Sequence, residues 1–303
     1  MLGWRRVRSR GLLMCLGSSL LFAAMAFSAR LASDSATGAQ VAVVRFLGSV
    51  VLVGAIVVAW RRPLAPSKWG PLVVRGVAGG SAVLLYFLAI AHLGVGLATL
   101  LNYTSPVFTA ILSRVVLGEP LRPRTVVGLT VAMGGVAMVL FGGRDLAHPA
   151  ALSWILCGLL SAALSGVAVT AIRVARRTDG ALEIFASFAV FGVLCTAPVA
   201  LAGPAPHIDA GAALALAAVI LTSTGAQLLM TTALRWVDAP TSGVIAQVNV
   251  VTSYALGVGF LGESVTALSL AGSAVTMIGV VVAIWGEGRA PIAAQPTESI
   301  SSC

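Results

Sequence analysis

Uncharged polar side chains recur at helical spacing in two apolar segments of this sequence, where they could hydrogen-bond a small polar solute. The first face is formed by Asn102, Ser105, Thr109 and Ser113. A shift of 144 residues along the sequence superposes a second face on it, formed by Ala246, Asn249, Ser253 and Gly257. Amide and hydroxyl groups can orient a bound molecule without carrying charge. The same groups also join membrane helices by hydrogen bonds, so helix packing is the alternative interpretation.

Three further polar residues and one proline extend this candidate binding site. Tyr86 lies in the apolar segment before the first face, and Thr224 and Gln227 lie one turn apart in the segment before the second. Pro106 interrupts the first face. Because proline removes a backbone hydrogen bond and frees a carbonyl group one turn earlier, Pro106 predicts a kink or hinge beside the solute. A tolerated membrane proline is the alternative.

Few charged residues lie within the apolar segments. Arg45 lies several residues inside its segment, where a cation indicates function unless it extends to the interface. Arg75 and Arg114 lie nearer to segment ends, so we expect both to extend to the interface. Glu119 and Glu263 follow their segments, and we expect them to cap the next helix or to brace a gate. The centre of every segment lacks an acidic residue, which weakens coupling to protons or sodium.

The sequence offers no constellation for catalysis or for binding a metal or cofactor. It contains no HExxH motif, no aspartate pair inside a segment, and no serine with a histidine at helical spacing. The four cysteines form no CxxC motif, which excludes the usual metal and disulfide frameworks; they are Cys15, Cys157, Cys195 and Cys303. A membrane-embedded enzyme and a non-transporting receptor remain the alternative classes.

Composition places the chain in a lipid bilayer. Of its 303 residues, 58% are hydrophobic and only 10% are charged, and the mean hydropathy is +1.01. A soluble domain carries about 25% charged residues, so soluble and disordered classes are excluded. Ten apolar segments approach bilayer-spanning length. They are residues 11–31, 39–60, 70–91, 95–117, 124–142, 151–172, 181–202, 210–235, 240–261 and 267–286.

The basic residues predict the orientation of these segments. If residues 1–10 are cytoplasmic, fourteen Lys and Arg residues fall in cytoplasmic segments, whereas the other side holds only Arg30 and Arg144. This asymmetry follows the positive-inside rule and explains the net charge of +9 without a nucleic-acid partner. We therefore expect a multi-pass protein of the cell membrane, with a cytoplasmic tail at 287–303 and both termini in the cytoplasm.

An internal repeat underlies the ten segments. The 144-residue shift superposes Leu117-Gly118-Glu119 on Leu261-Gly262-Glu263, and Gly128 on Gly272. The first segments of each half, 11–142 and 151–286, align less clearly. Because each half holds five segments, the second half must enter the membrane inverted. Inverted repeats are typical of secondary transporters, whose solute site lies between the copies. The predicted fold is therefore an all-α integral membrane protein, with ten transmembrane helices in two inverted five-helix repeats.

Several short motifs, in order, resemble the EamA-like branch of the drug/metabolite transporter superfamily. They are Ser105-Pro106-Val107-Phe108-Thr109-Ala110, Leu117-Gly118-Glu119-Pro120-Leu121, Gly134-Gly135-Val136, Ala233-Leu234 and Leu261-Gly262-Glu263-Ser264, with Arg45-Phe46 in the second segment. The resemblance implies residence in the inner membrane and transport, often outward, of small metabolites. The implied cavity lies among the third, fourth, eighth and ninth predicted segments. A homodimer is one candidate assembly. The chain departs from the family pattern at Leu16-Gly17, where Trp-Gly is usual, and at Val250, where proline is usual.

Overall fold

The computed structural model describes residues 2–33, 35–61, 63–142, 152–261 and 266–286. Within these ranges the chain forms eleven α-helices and no β-strand, which confirms the all-α prediction. The helices are α1 (Leu2–Leu31), α2 (Gly38–Trp60), α3 (Trp69–Asn102), α4 (Ser105–Leu117), α5 (Pro123–Gly142), α6 (Leu152–Ala175), α7 (Ala181–Leu201), α8 (Ala210–Ala233), α9 (Ala239–Ala246), α10 (Val248–Leu261) and α11 (Ala267–Gly286).

Eight helical stretches in the described ranges are long and apolar enough to cross a membrane. They are Ser9–Leu31, Gly38–Trp60, Trp69–Ala89, Leu152–Ala175, Ala181–Leu201, Ala210–Ala233, Ala239–Phe260 and Ala267–Ile284, and two shorter apolar helices are Ser105–Leu117 and Pro123–Val139. Large apolar side chains cover the outside of the bundle; Leu201 is 85% exposed and Val58 is 76% exposed. An outer surface this apolar matches lipid, so the chain is an all-helical integral membrane protein.

Polar residues set the starts of several helices. Thr37 and Gln40 form a capping box at the start of α2, in which each side chain binds the backbone of the other. Asp209 caps α8 through the backbone N–H of Ala212, and Asp238 caps α9 through that of Thr241. These carboxylates satisfy unpaired N–H groups and face the positive end of each helix dipole.

Helix α3 folds back on itself against α6. Ser161 Oγ donates to the carbonyl oxygen of Ala82 at 2.8 Å and accepts from Nδ2 of Asn102 at 3.0 Å. Twenty residues of straight helix span about 30 Å, so the chain must reverse direction between Ala82 and Asn102. All residues from Trp69 to Asn102 have helical conformation, so the reversal takes place without a non-helical loop. The reversal agrees with the sequence prediction, which ends one segment at residue 91 and begins the next at 95.

Two of the predicted continuous segments are broken near their middle. Tyr103 and Thr104 separate the end of α3 from α4, and Gln247 separates α9 from α10. Tyr103 and Gln247 are equivalent under the 144-residue shift. At both breaks the backbone makes tighter i→i+3 bonds, from Thr104 N to the Leu101 carbonyl and from Gln247 N to the Val244 carbonyl. The sequence predicted a kink at Pro106 within 95–117 but no break within 240–261, which still corresponds to one candidate membrane span, Ala239–Phe260.

Pro106 does not kink the middle of a helix. It lies within the first two positions of α4, where its missing N–H would have no helical partner in any case. Val250, the equivalent residue of the second half, donates its N–H to the Gln247 carbonyl at 3.0 Å. The second break therefore forms without a proline, and the family departure at Val250 leaves this feature intact.

Four interhelical turns meet at one end of the bundle. Ser67 N donates to Asp179, which joins the α2–α3 and α6–α7 turns. Glu119 Oε1 accepts from Arg173 Nε at 2.8 Å, and its Oε2 accepts from Ala239 N at 3.3 Å, which joins the α4–α5 turn to the end of α6 and the start of α9. We call this the basic end because it carries Arg61, Lys68, Arg122, Arg124, Arg173, Arg176, Arg177 and Arg235.

The first and last helices also reach the basic end. Gly11 of α1 packs against Val237, which follows α8, and Ala283 of α11 packs against Gly128 near the start of α5. At the opposite end Gln40 Nε2 donates to the Pro204 carbonyl at 2.6 Å, which joins the α1–α2 and α7–α8 turns. The described start of α1 and the described end of α11 therefore lie on the same side of the bundle.

Helices α5 and α11 cross through paired glycines. A Cβ atom added to Gly135 would lie 2.6 Å from the Gly272 carbonyl oxygen, and one added to Gly279 would lie 2.6 Å from that of Gly128. Gly272 and Gly279 are the 144-residue equivalents of Gly128 and Gly135. Gly135 thus contacts the equivalent of Gly128, and the equivalent of Gly135 contacts Gly128 itself. This exchange of contacts means that the two helices run antiparallel.

A second exchanged pair of contacts gives the register of the earlier helices. Ser18 Oγ donates to the Ala226 carbonyl, and Ser161 Oγ donates to the Ala82 carbonyl, both at 2.8 Å. Ala82 and Ala226 are 144 residues apart, whereas Ser18 and Ser161 are 143 apart. The halves therefore match by a shift one residue shorter in α1 and α6, which is why the first segments align poorly at 144.

Candidate functional site

The structure places five of the predicted site residues in two polar groups. The first, which we call the tyrosine–asparagine cluster, surrounds the break before α4 and consists of Tyr86, Tyr103, Asn249 and Ser253. The second, which we call the arginine cluster, joins α2, α3, α7 and α8 and consists of Arg45, Ser49, Arg75, Phe188, Thr224 and Gln227.

The tyrosine–asparagine cluster links the two halves of the chain. Asn249 Nδ2 donates to the Tyr103 hydroxyl at 2.8 Å, and Ser253 Oγ donates to Asn249 Oδ1 at 3.1 Å. Tyr86 lies close enough to Tyr103 to interact with it electrostatically. Of the predicted residues in this cluster, Asn249 and Ser253 contact each other directly. Tyr103 was missed because it lies off the polar face of a helix assumed to be continuous.

Asn102 and its predicted companions on α4 have other partners. Asn102 binds Ser161 of α6 and so belongs to the α3 fold-back. Thr109 is buried and donates to the carbonyl of Ser105 in its own helix at 3.0 Å. Pro106 is buried, and a Cβ added to Gly243 of α9 would lie 3.1 Å from its ring. These contacts suit helix packing.

Thr224 and Gln227 lie in the arginine cluster. Thr224 Oγ1 lies 3.0 Å from Ser49 Oγ in a buried contact between α8 and α2. One turn later, Gln227 Oε1 accepts a hydrogen bond from Arg75 Nη2 at 3.1 Å. The amide predicted to face a solute therefore faces a guanidinium group of the first half.

Arg75 corrects a prediction. We expected it to extend to the membrane interface, but it is only 4% exposed and turns into the bundle. Its guanidinium carbon lies 3.8 Å from the centroid of the Phe188 ring, which is cation–π stacking distance. Gly79, one turn along α3, provides the room, because an added Cβ would lie 2.3 Å from Arg75 Nη1. Arg75 Nε is buried and has no hydrogen-bond partner among the described residues. Arg114, by contrast, is exposed as expected.

Arg45 approaches the same aromatic ring. Its guanidinium carbon lies 5.9 Å from the Phe188 centroid and 5.2 Å from that of Phe46. Since Arg75 lies against the same ring, the two cations are within about 10 Å, where like charges repel by roughly 1–2 kcal/mol at an effective dielectric constant near 20. The arginine cluster therefore concentrates positive charge inside the bundle.

Acidic partners for this charge are absent from the described ranges. The five acidic residues there all lie in turns or at helix ends, where they have other contacts. They are Glu119, Asp179, Glu183, Asp209 and Asp238. A buried cation is normally paired, so an arginine pair without carboxylates is an unusual arrangement.

Gln247 is a second residue of the bundle interior whose buried polar atoms lack a partner among the described residues, where Ser113 Oγ and Arg176 Nε are also unpartnered. It is 0% exposed, and neither its amide nitrogen nor its amide oxygen has a hydrogen-bond partner among the described residues. It forms the break between α9 and α10, at the position equivalent to Tyr103 under the 144-residue shift. Because buried amides are nearly always bonded, an unbonded amide at a helix break marks a candidate solute contact.

Glu119 joins the two halves at the basic end. We expected a cap on the next helix or a gate brace; its carboxylate does not cap the next helix but binds Arg173 and the backbone N–H of Ala239 at the start of α9, both in the other half. Arg173 also donates to the Leu234 carbonyl. Glu263, its counterpart in the second half, lies outside the described residues. Nearby, partial burial and the charge of Arg235 lower the pKa of Arg176.

The sequence of each half matches one known family. The profile of the EamA-like transporter family aligns with residues 9–141 and again with 152–285. The chain belongs to the EamA-like transporter family. A solved crystal structure shares this fold, with a TM-score of 0.79 and 20% sequence identity over 91% of this chain and 96% of the other.

Named relatives of this EamA-like protein include transporters. It is 29% identical over 212 residues to the pseudopaline exporter CntI of two Pseudomonas aeruginosa strains, covering 68% of this chain and 72% of the relative. It is 28% identical over 88 residues to a probable transport protein of Saccharomyces cerevisiae, covering 27% of this chain and 25% of the relative. The protein is therefore a multi-pass membrane transporter of small molecules, as predicted.

Proposed function

We propose that this EamA-like protein exports small organic metabolites by alternating access between two inverted five-helix repeats. The repeats comprise residues 11–142 and 151–286, between a basic segment at 1–10 and a tail at 287–303. The protein lies in the cell membrane with the basic end and both termini in the cytoplasm. The exporter name of the Pseudomonas aeruginosa relative supports the outward direction.

One observation carries the inverted arrangement. The α5–α11 crossing pairs Gly128 with Gly279 and Gly135 with Gly272, so that equivalent residues exchange partners. Such exchange is what a two-fold axis in the membrane plane produces. A repeat inverted about that axis can form similar gates towards each side of the membrane.

The path of the chain supports the proposed count of ten crossings. The reversal in α3 adds a crossing, and α4 then returns to the basic end, where Glu119 binds Arg173. Helices α4 and α5 are short but apolar. Helices α9 and α10 together supply one crossing. A reversed α3, together with the other helices, thus supports ten passes between the two ends of the bundle.

The helix breaks support a solute path near the middle of the membrane. Gln247 follows the eight residues of α9, about 12 Å from the basic end, which is close to half of the ~30 Å hydrocarbon thickness. Broken helices at this depth occur where backbone lines a path rather than lipid. Asn249 and Tyr103 lie beside these breaks, and we place the solute between them and the arginine cluster.

A binding screen followed by flux measurements tests this function. Purified protein is mixed with a metabolite library in a thermal-shift assay, and stabilising compounds are tested by counterflow in proteoliposomes. We expect flux that falls at least about tenfold in the Asn102→Ala, Gln227→Ala and Asn249→Ala triple variant. Gln40→Ala, which removes an amide at the opposite end of the bundle, is the control and should retain flux.

Two results would overturn the proposal. Full flux in a triple variant with wild-type unfolding temperature would reject the site. Absence of flux for every compound that binds would favour a non-transporting receptor. Cysteine labelling tests orientation separately: residues 1 and 303 must react from the same face of the membrane.

A further inference from the structure

The positive charge of the arginine cluster has no acidic partner among the described residues. Arg45 and Arg75 approach one aromatic ring, and Gln227 is the single side chain that accepts a hydrogen bond from either guanidinium group within the described ranges. Arg75 is nine-tenths buried, and its Nε has no partner there. Buried cations need negative charge or several acceptors, and this site supplies one neutral amide oxygen.

The internal repeat shows that the fold does not require these residues. Under the register of the repeat, Val219 is the counterpart of Arg75 and Val83 is the counterpart of Gln227. Val219 is buried in an apolar cluster, and Val83 packs against the aromatic residues of α2 and α7. The positions of Arg75 and Gln227 therefore have counterparts in the repeat that hold Val219 and Val83. Because valine fills those counterparts, packing alone does not explain why arginine and glutamine occur at the first pair of positions.

The symmetry also places Arg45 on the path between the halves. Gly48 of α2 packs against Ile220, and Phe191 of α7 packs against Gly76, an exchange that extends the 143-residue shift to α2 and α7. Under this shift Arg45 and Phe188 are counterparts, and they approach each other across the α2–α7 contact. Residues that meet their own counterparts lie at the pseudo-two-fold axis. The axis runs between the repeats, which is where an alternating-access transporter holds its solute.

We propose that Arg45, Arg75 and Gln227 bind a carboxylate of the exported solute, so that the substrates are small organic anions. This inference rests on the proposed transport function and specifies its substrate class. Guanidinium groups present planar donors that match carboxylate oxygens, whereas a neutral or cationic solute would leave both charges unpaired. The Gln227 amide can turn its N–H₂ group towards the same oxygen atoms.

Because Arg75 is buried, a solute can bind to it only during one step of the transport cycle. Arg75 is enclosed by Gly79 and Phe188, so a solute reaches it only when α7 or α8 moves away from α3. Arg45 is partly exposed and can meet the anion first. The carboxylate then replaces the Phe188 ring against the Arg75 guanidinium group as the halves rearrange.

A three-arm ligand screen on the full-length protein tests the proposal. The first arm holds carboxylates, including succinate and L-glutamate; the second holds their neutral amides, succinamide and L-glutamine; the third holds phosphate esters, including glycerol 3-phosphate. Each compound is scored by thermal shift and then by counterflow in proteoliposomes. We expect ligands in the first arm only, and in Arg75→Gln and Arg45→Gln an apparent affinity at least about tenfold weaker.

Control variants separate a binding role from a structural one. Arg114→Gln removes an exposed arginine near the end of α4 and should leave affinity unchanged. Gly79→Ala keeps every charge but displaces the Arg75 guanidinium, so it should weaken carboxylate binding. Without solute, Arg75→Gln should unfold at the wild-type temperature or above, because it removes a buried charge and retains a partner for Gln227.

Each outcome decides between the alternatives. Ligands found only among phosphate esters would overturn the carboxylate assignment, and ligands that are neutral or that ignore Arg75→Gln would overturn the anion site while leaving transport intact. A lower unfolding temperature for Arg75→Gln with unchanged affinity would make Arg75 structural. No ligand and no flux in any arm would reject the proposed function itself.

Discussion

At the scale of single residues, burial without a partner marks the positions that serve something other than stability. Gln247 and Arg75 each bury polar atoms that have no hydrogen-bond partner among the described residues. Thr109 and Thr224, although also polar and buried, are satisfied by their own helix or by Ser49. An unsatisfied buried group costs about 1–3 kcal/mol, so selection for stability alone would remove it.

Replacement of Gln247 by leucine should stabilise the protein and impair transport. The substitution removes two unsatisfied polar atoms, so we expect the free energy of unfolding to rise by about 1–3 kcal/mol, read as a higher midpoint of thermal unfolding in detergent. Flux should fall because the break loses its amide. Gln40→Leu is the control and should destabilise, since Gln40 is hydrogen-bonded to Pro204. A lower midpoint for Gln247→Leu would contradict the prediction.

At the scale of elements, small residues decide which helices touch. The α5–α11 contact brings glycine carbonyl groups against the facing backbone, and Gly166 of α6 allows the same approach by α4. Without a hydrophobic force between helices in lipid, such close packing is what holds membrane helices together. The antiparallel crossing therefore depends on residues that have no side chain.

Two neighbouring glycines of α5 offer a matched test of this packing. A Cβ at Gly135 would lie 2.4 Å from the backbone nitrogen of Thr276, whereas a Cβ at Gly134 has no neighbour within 4 Å. We expect Gly135→Ala to destabilise by about 1–3 kcal/mol, and Gly134→Ala to be neutral or stabilising by up to about 1 kcal/mol. Thermal unfolding of the two variants measures the difference, and equal midpoints would refute the tight crossing.

At the scale of the whole molecule, the carboxylates of Glu119 and Asp179 join the two halves at the basic end, and Glu119 makes two of these contacts. Glu119 of the first half binds Arg173 and the start of α9, both in the second half. In an alternating-access cycle, such a tie must open for solute to enter from that end. Its loss should shift the protein towards the conformation that is open there.

Glu119→Gln should expose Cys15, which is buried in α1 beside Ser242 of α9. In a background in which serine replaces Cys157, Cys195 and Cys303, we expect N-ethylmaleimide to label Cys15 several-fold faster in the variant. Glu183→Gln is the control, because Glu183 lies beside Arg176 within the second half. An unchanged labelling rate would show that Glu119 does not hold the end closed.

If the solute is anionic, membrane potential should drive its export. Moving one charge through 100 mV changes the free energy by about 2.3 kcal/mol, and an inside-negative potential pushes anions outward. No proton-carrying acid is then needed within the spans, which agrees with their lack of central acidic residues. In potassium-loaded proteoliposomes with valinomycin, efflux of succinate should rise as the interior becomes negative, whereas succinamide should not respond. Equal responses would contradict this prediction.

The sequence by itself determined where the helices lie and how the halves repeat. Hydropathy depends on local composition, so the segment from Ala181 to Leu201 could be predicted within a residue or two. Glycines that recur at a shift of 144 residues identified the repeat, because close helix crossings need glycine at defined positions. The contact between Asn249 and Ser253 could be predicted because their spacing along one helical face is a local property.

Only the tertiary structure decided which polar groups meet. Arg75 was expected at the interface because its depth in the segment allowed that, yet its position depends on Phe188 and Gln227, more than a hundred residues away. The broken helices likewise depend on packing between halves, since Val250 offers no local signal for a break. Side-chain partners in a membrane bundle are set by neighbouring helices, so the periodic pattern within one helix does not predict them.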